Sequence, residues 1–472
     1  TINRQTLEFT EGASILEVAL DHEIEIPHYC WHPGLTVVAN CRICLAEVHA
    51  PNPRNDNKVE PIPKLLPTCQ TPAQDGQIVH IDSPKAIANQ KAVMEYLLIN
   101  HPVDCAICDQ AGECHLQDYS YQYGRGKARF EEQKIKQPKK DPGPNVLLYA
   151  DRCIMCSRCV RFTREVTGTA ELIVEGRGAM EQIDVFPGLA LDNELSANVI
   201  DLCPVGALLD KDFLFQQRVW YLTKTPSIDG ITASGDNISI EHNKGEVYRI
   251  KPRTNMDVNR WWITDEVRYG WKFIHDEQRL RMPVVKGVEP WDPVEAPLAY
   301  ETAYASVVEL LRTARHAGVL LSPMISCEDA YLLSDAAADI SEAATCGVGP
   351  VPVRGEDKTF NDGFTLYAEK APNARGIRRV IAARQAEVHE FEAFVEAVRG
   401  GTYDVLLLTG NYPSDWVTQD FADAVRASGA RVIVLDTLPS VLLELADVVI
   451  PAATWAEKAG TFENAKHRLQ AF

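Results

Sequence analysis

Hydrophobic and polar positions change their spacing several times along the first hundred residues. Ile2 to Phe9 alternate like a short hairpin, and Ser14 to Glu17 has the S-x-x-E form of a capping box that opens a helix. The Pro- and Asn-rich segment from Pro51 to Pro67 predicts a loop. Apolar residues spaced as in a helix predict one over Lys85 to Asn100, which Pro102 then ends.

The pattern changes again in the second half of the chain. Residues 125–144 are rich in Lys, Gln and Pro and predict a linker, and β-branched residues alternate with turns after about residue 215. Beyond residue 300, Ala-rich helical segments alternate with apolar strands such as Val405–Leu408 and Arg431–Leu435. This alternation predicts a parallel α/β sheet.

Composition limits the possible classes of protein. The 472 residues suggest about three domains. A net charge of -19, with 46% hydrophobic and 24% charged residues, is typical of a globular protein and disfavours nucleic acid as a partner. The apolar region 431–455 is broken by Asp436, Glu444 and Asp447, and no secretory signal is apparent. We therefore expect membrane contact only through a partner, on the reducing side of the membrane.

The 13 cysteines are unevenly distributed, and 11 of them lie between Cys30 and Cys203. Only Cys327 and Cys346 follow. Tight cysteine groups in a long intracellular chain favour metal binding over disulfides. The first group has the spacing C-x10-C-x2-C-x24-C, which suits a [2Fe-2S] cluster or a zinc ribbon; its members are Cys30, Cys41, Cys44 and Cys69.

The second group mixes one imidazole with three thiols in the spacing H-x3-C-x2-C-x5-C. This donor set can hold a tetrahedral zinc ion or a [4Fe-4S] cluster, and the spacing alone favours zinc; its members are His101, Cys105, Cys108 and Cys114.

The third group is the most specific, because C-x2-C-x2-C with a remote Cys-Pro is characteristic of a cubane. Its members are Cys153, Cys156, Cys159 and Cys203. Eleven cysteines and His101 then make three sites of four ligands. Three neighbouring arginines either offset the negative charge of a cluster or are simply solvated; they are Arg152, Arg158 and Arg161.

At these motifs the chain closely resembles the large iron-sulfur subunit of respiratory complex I. The resemblance is carried by HPVDC at 101–105, CDQAGEC at 108–114, DRCIMCSRCVRF at 151–162 and NVIDLCPVGAL at 198–208. It implies one [2Fe-2S] and two [4Fe-4S] clusters at the three groups in turn, and no catalytic residue in the chain itself.

The resemblance also implies a place within a larger assembly. Electrons would come from a flavin-containing NADH-oxidising subunit and pass through the Cys30, Cys153 and His101 sites to a ferredoxin-like subunit with eight irons. A thioredoxin-like [2Fe-2S] subunit and other peripheral-arm subunits would be further partners. The expected location is peripheral, on the cytoplasmic side of the inner membrane or the matrix side in mitochondria. The chain itself would carry no flavin, and its cysteine-rich half has no G-x-G-x-x-G motif.

Some relatives carry a further cluster in the next domain. Aligning residues 225–228 to that motif leaves no thiol in the four ligand positions, so we expect this cluster to be absent; the residues there are Asp229, Thr232, Asp236 and Thr264. The last 200 or so residues resemble a molybdopterin enzyme domain, most clearly at ADVVIP (446–451) and EKAGTFEN (457–464). No cysteine ligand can be assigned there, so we expect an inactive scaffold without molybdopterin.

The predicted fold class is multidomain α+β and α/β, in five parts. They are a 2Fe-2S ferredoxin-like β-grasp domain (1–80), a 4Fe-4S module with one histidine and three cysteine ligands (81–124), a bacterial-ferredoxin-like 4Fe-4S module (125–217), a degenerate Mo/W-type 4Fe-4S domain without a cluster (218–275) and a shortened molybdopterin-oxidoreductase-like α/β domain (276–472). Two other functions remain open: an iron-sulfur or diaphorase subunit of an NAD-linked formate dehydrogenase or hydrogenase, and a zinc-stabilised scaffold.

Overall fold

The chain divides into two compact units. A computed structural model describes residues 1–472, with the exception of the side chain of Ala179. One unit comprises residues 1–222 together with 360–363, and the other comprises residues 223–359 and 364–472. Among the described residues, no helix is both long and apolar enough to cross a membrane.

The first module of the cysteine-rich unit is a small antiparallel sheet packed against one helix. Its elements are α1 (Ile15–Asp21), β1 (Leu45–Asn52), β2 (Lys58–Pro61), β3 (Leu66–Pro67) and β4 (Ile78–His80), with β1 pairing with the other three strands. The predicted capping box is confirmed, since Glu17 N donates to Ser14 Oγ at 3.2 Å and Ser14 N donates to Glu17 Oε2 at 2.8 Å.

Two predictions for this module were wrong in part. Ile2 to Phe9 forms no hairpin of strands; Asn3 and Arg4 have positive φ, and the resulting turn brings only Ile2 and Gln5 into a bridge. The segment predicted as a loop contains the end of β1 and all of β2, which form a hairpin. Pro61 is tolerated there because it lies at the end of an edge strand.

The next two modules are mainly loops between short elements. The helix predicted to end before Pro102 is confirmed as α2 (Pro84–Ile99), capped by Ser83. The remaining elements of this unit are α3 (His115–Gln122), β5 (Lys139–Lys140), β6 (Val146–Tyr149), α4 (Arg158–Glu165), β7 (Leu172–Glu175), β8 (Gln182–Val185), α5 (Asn198–Leu202) and β9 (Leu208–Asp210). They form an antiparallel sheet β5-β6-β9 and a hairpin β7-β8, with short 3-10 turns at Cys105–Ile107, Ala150–Arg152, Gly178–Met180 and Val219–Tyr221.

The second unit begins with an antiparallel sheet of three strands. These are β10 (Thr223–Ile228), β11 (Asn237–Asn243) and β12 (Glu246–Pro252), followed by α6 (Asp265–Tyr269) and a 3-10 helix (Gly270–His275). Trp262 is 2% exposed, and His275 Nε2 accepts a hydrogen bond from Val247 N at 2.9 Å. We therefore interpret both residues as structural, His275 because of its hydrogen bond and Trp262 because of its burial.

The predicted parallel α/β sheet is confirmed, including both named strands. Its order is β13-β20-β19-β18-β14-β15, in which only the short edge strand β13 is antiparallel. The strands and helices of this part are β13 (Val284–Val285), α7 (Ala296–Thr313), β14 (Ala317–Leu321), α8 (Cys327–Ile340), β15 (Ala344–Val348), β16 (Lys358–Thr359), β17 (Thr365–Leu366), α9 (Ala374–Arg384), α10 (Phe391–Arg399), β18 (Val405–Thr409), α11 (Gln419–Ser428), β19 (Arg431–Asp436), β20 (Val448–Pro451), β21 (Thr461–Glu463) and β22 (Leu469–Ala471). Short 3-10 turns lie at Pro293–Glu295, Val441–Glu444 and Trp455–Glu457.

Candidate metal centres

The four cysteines of the first group lie together around the start of β1. Cys30 follows α1, Cys41 and Cys44 precede β1, and Cys69 follows β3. The sulfur atoms of Cys44 and Cys69 are 3.6 Å apart, and the Cys30 sulfur is hydrogen-bonded to the thiols of Cys41 and Cys69. These bonds lower the pKa of Cys30 and raise the pKa of Cys41 and Cys69.

The second group is carried by the loop between α2 and α3. Cys108 and Cys114 are buried, whereas Cys105 is exposed. His101 Nδ1 is buried and has no hydrogen-bond partner among the described residues, and burial lowers the pKa of the ring. A neutral imidazole with a free nitrogen is the form that binds a metal. The chemistry of this donor set therefore fits a bound centre.

Neighbouring segments fix the position of Cys108. Arg218 Nη1 donates to the Cys108 carbonyl at 2.9 Å, and its Nη2 donates to the Ala106 carbonyl. Gly206, in the loop that follows Cys203, lies so close that a Cβ atom there would be 2.3 Å from Cys108 Sγ. The loop that carries one ligand of the third group thus packs directly against the second group.

The third group surrounds a cavity in the cysteine-rich unit. Met155 and Ser157 have φ of 52° and 59°, and these left-handed turns coil the C-x2-C-x2-C segment on itself. All four cysteines line this cavity together with Leu148, Ile154, Ile183, Val205, Ala207 and Leu208. Burial raises the pKa of Cys156 to about 11. A cavity with four thiols and apolar walls fits a [4Fe-4S] cluster and keeps water away from it.

The sequence left open whether the three arginines near this group are solvated, and the structure shows that all of them are buried. Arg152, Arg158 and Arg161 are 2%, 6% and 6% exposed. Arg152 forms an ion pair with Asp104 at 2.5 Å and lies 3.9 Å from the centre of the Tyr149 ring. Long charged side chains are rarely buried without a specific partner. The burial of these arginines could not be predicted from the residue type alone.

The positions expected to lack a fourth cluster contain a network of oxygen atoms. Asp229 is fully buried and accepts hydrogen bonds from Ile231 N at 2.8 Å, from the Thr232 hydroxyl and from Ser234 Oγ at 2.9 Å. Asp236 is also buried, and its Oδ2 atom has no partner among the described residues. Thr264 instead caps α6, where its hydroxyl accepts from Val267 N at 3.2 Å. These hard oxygen donors are poor ligands for an iron-sulfur cluster.

Polar residues at the carboxyl edge of the parallel sheet are hydrogen-bonded within the chain. Asp436 accepts hydrogen bonds from Asn411 N, Thr437 N and Trp416 Nε1, all at 2.7–2.9 Å. The buried Tyr412 hydroxyl donates to the Pro350 carbonyl at 2.7 Å. In open α/β sheets this edge is where ligands usually bind. Here its polar groups are bonded to one another.

The two remaining cysteines belong to the second unit. Cys327 is half-buried and donates to Asn373 Oδ1 at 3.4 Å, and Cys346 lies within β15 in the hydrophobic core. Within residues 1–472 as described, no set of three or more His, Cys, Asp or Glu side chains is arranged around a position for a single metal ion.

Five segments of the chain match known protein families. Residues 1–84 match a 2Fe-2S iron-sulfur cluster binding domain, 90–129 the NADH-ubiquinone oxidoreductase-G iron-sulfur binding region, and 143–209 the ferredoxin-like domain of NADH-quinone oxidoreductase subunit 3. Residues 222–272 match the NDSU1/NuoG-like 4Fe-4S domain of NADH-ubiquinone oxidoreductase, and 378–472 match molybdopterin oxidoreductase. The predicted fold class, iron-sulfur domains followed by a molybdopterin-oxidoreductase-like domain, is confirmed by these matches.

Curated proteins similar to this chain carry related names. The chain is 39% identical over 315 residues to the NADH-ubiquinone oxidoreductase 75 kDa subunit of Reclinomonas americana, covering 67% of this chain and 44% of that protein. It is 41% identical over 295 residues to the mitochondrial NADH-ubiquinone oxidoreductase 78 kDa subunit of Neurospora crassa, covering 62% and 38%. The chain thus spans less than half the length of these curated relatives. A solved NAD+-reducing [NiFe]-hydrogenase chain matches at 28% identity and a TM-score of 0.39, covering 46% of this chain and 89% of that one.

Proposed function

We propose that this chain, which is 39% identical over 315 residues to the 75 kDa subunit of NADH-ubiquinone oxidoreductase of Reclinomonas americana, is the electron-relay subunit of an NADH:quinone oxidoreductase. The observation that carries the proposal is the placement of twelve potential ligands in one unit. These ligands form the three groups described above, of which the first and third each bring four thiols together. Bound clusters would supply one-electron redox chemistry.

The protein itself would bind the clusters, set the distances between them and adjust their potentials through nearby charges. Thiols of the first group would hold one [2Fe-2S] cluster, and the second and third groups would each hold one [4Fe-4S] cluster. Apolar side chains around the third group exclude water, and buried arginines supply positive charge. We infer no cluster at Asp229 and Asp236, where thiols are missing. We also infer no molybdopterin, since polar groups at the carboxyl edge of the sheet are hydrogen-bonded within the chain and no cysteine ligand could be assigned.

The partners and the location follow from the same proposal. A flavin-containing NADH-oxidising subunit would donate electrons, and a ferredoxin-like subunit with eight irons would accept them. A thioredoxin-like [2Fe-2S] subunit and other peripheral-arm subunits would be further partners. The chain would contact the membrane only through these partners, on its cytoplasmic or matrix side. The five domain ranges predicted from the sequence are retained as part of the proposal.

Iron and sulfide analysis of the full chain, purified without oxygen, tests the cluster content. We expect about ten irons and ten acid-labile sulfides per chain, the sum for one [2Fe-2S] and two [4Fe-4S] clusters. The protein should be brown and lose visible absorption when dithionite is added. A colourless protein that contains zinc and no sulfide would instead establish the structural scaffold.

A further inference from the structure

Arg158 contacts the backbone beside two of the proposed cluster sites. It is the first residue of α4, and it donates from Nη2 to the Trp31 carbonyl at 2.6 Å and from Nη1 to the Leu202 carbonyl at 3.3 Å. Trp31 directly follows Cys30, and Leu202 directly precedes Cys203. One guanidinium therefore holds the ligand loops of the first and the third group at the same time.

The charge of Arg158 has no carboxylate to balance it. Arg152 shows the ordinary arrangement, with Asp104 as its partner. In the part of the chain that the structure describes, Arg158 forms no salt bridge, and its Nε atom lacks a hydrogen-bond partner. The ionisable groups that interact electrostatically with it include the thiols of Cys156, Cys203 and Cys30, the guanidinium of Arg161 and the imidazoles of His28, His32 and His115.

A buried guanidinium without a counter-charge is strongly unfavourable. The second guanidinium makes the imbalance larger, because Arg161 donates only to backbone carbonyls and the Ser157 hydroxyl, among them the carbonyl of Cys30. Negative charge must therefore come from the surrounding cysteines, as the thiolate ligands of a bound cluster. A cluster ligated by four thiolates carries net negative charge, and this charge increases by one when the cluster is reduced.

We propose that Arg158 is a counter-ion shared by the clusters of the first and third groups, and that its charge raises the reduction potential of both. This inference rests on the cluster assignment of the proposed function. A fixed positive charge close to both centres favours the more negative, reduced state of each. Hydrogen bonds to the two carbonyls hold the charge in place, so Arg158 acts as a positioning and tuning residue.

Redox titration of the full chain with its clusters, followed by EPR, tests the proposal. In Arg158→Gln we expect both potentials to become more negative, by at least tenfold in the equilibrium constant for reduction, or 59 mV for one electron. Arg158→Lys keeps the charge and should shift both potentials much less. Arg164→Gln is the matched control, because Arg164 lies on the same helix and loses the same charge but is exposed.

The outcomes separate this inference from the proposed function. If the unaltered chain contains no clusters, the proposed function fails. If it contains them and Arg158→Gln leaves either potential at the value of Arg164→Gln, the shared counter-ion is wrong. Should Arg158→Gln lose its clusters, Arg158→Lys decides: both clusters present at nearly unaltered potentials support the role of the charge, and their loss or an equally large shift overturns it.

Discussion

Replacing a single proposed ligand should remove one cluster, and Cys153 is the clearest residue on which to test this. Its thiol lines the cavity of the third group, and a serine oxygen is a hard, poor substitute for a thiolate on iron. Cys153→Ser should lose about four irons per chain. Cys327→Ser is a suitable control, because that half-buried thiol lies outside the three groups. Equal iron content in the two variants would contradict the assignment of Cys153.

His101 is the one proposed ligand that is not a thiol. A neutral imidazole leaves the cluster one charge less negative than a fourth thiolate would, so His101→Cys should keep the cluster and lower its potential. His101→Ala should leave an iron open to solvent or lose it. EPR-monitored titration of both variants measures the effect. An unaltered potential and line shape in His101→Ala would show that His101 is not a ligand.

The buried carboxyls of Asp229 and Asp236 predict a stability that depends on pH. Burial, followed by the charge of Asp229, raises the pKa of Asp236 well above its ordinary value, and burial raises the pKa of Asp229 to about 6. Nearby Lys466 acts in the opposite direction on Asp236. Above pH ~4 these two carboxyls thus bind more protons in the folded chain than in the unfolded chain. Their contribution to the free energy of unfolding should therefore fall as pH rises from there through their folded-state pKa values.

Asp236→Asn tests this expectation by removing one titrating group. We expect its free energy of unfolding, measured by urea titration across pH 4–8, to decline less than that of the unaltered chain. The difference in free energy of unfolding between Asp236→Asn and the unaltered chain should be largest near pH 8. We expect it to be about 1 kcal/mol or more there, since one pKa unit corresponds to about 1.4 kcal/mol. Asp257→Asn serves as the control, because Asp257 is exposed. Parallel curves for all three proteins would refute the prediction.

At the scale of elements, the loop between α5 and β9 links two cluster groups. Gly206→Ala would place a Cβ atom 2.3 Å from Cys108 Sγ, so the loop or the cysteine must move. We expect the EPR signal of the second site to broaden or disappear while that of the third persists. Gly126→Ala is the control, because a Cβ there meets no atom within 4 Å. An unaltered second-site signal in Gly206→Ala would mean that the contact is not tight.

Elements were predictable where local signals agreed with tertiary packing. Ser14 with Glu17 marked the start of α1, and the apolar run at Val405 marked a central strand. The hairpin at Ile2 was overpredicted because alternation alone does not show that Asn3 and Arg4 form a turn. Cysteine spacing identified the candidate ligands. The role of Arg158 was not predictable, since its burial depends on carbonyls 127 and 44 residues away.

At the scale of the whole molecule, the proposed relay function predicts that another subunit supplies the electrons. The cysteine-rich half has no dinucleotide motif, and the three proposed ligand groups would serve one-electron transfer. The purified chain with its clusters should therefore not reduce ferricyanide with NADH, but it should accept electrons from dithionite. NADH:ferricyanide activity that co-purifies with the chain through successive columns would overturn this.

Residues 360–363 have a practical consequence for dissecting the protein. They belong to the cysteine-rich unit although they lie 138 residues beyond Leu222, and Asn361 N donates to the Val166 carbonyl at 3.2 Å just after α4. A fragment cut at residue 222 would leave that carbonyl without its donor, close to the helix that carries Arg158. Expression of the cysteine-rich unit alone should therefore include residues 360–363, joined to residue 222 by a short linker.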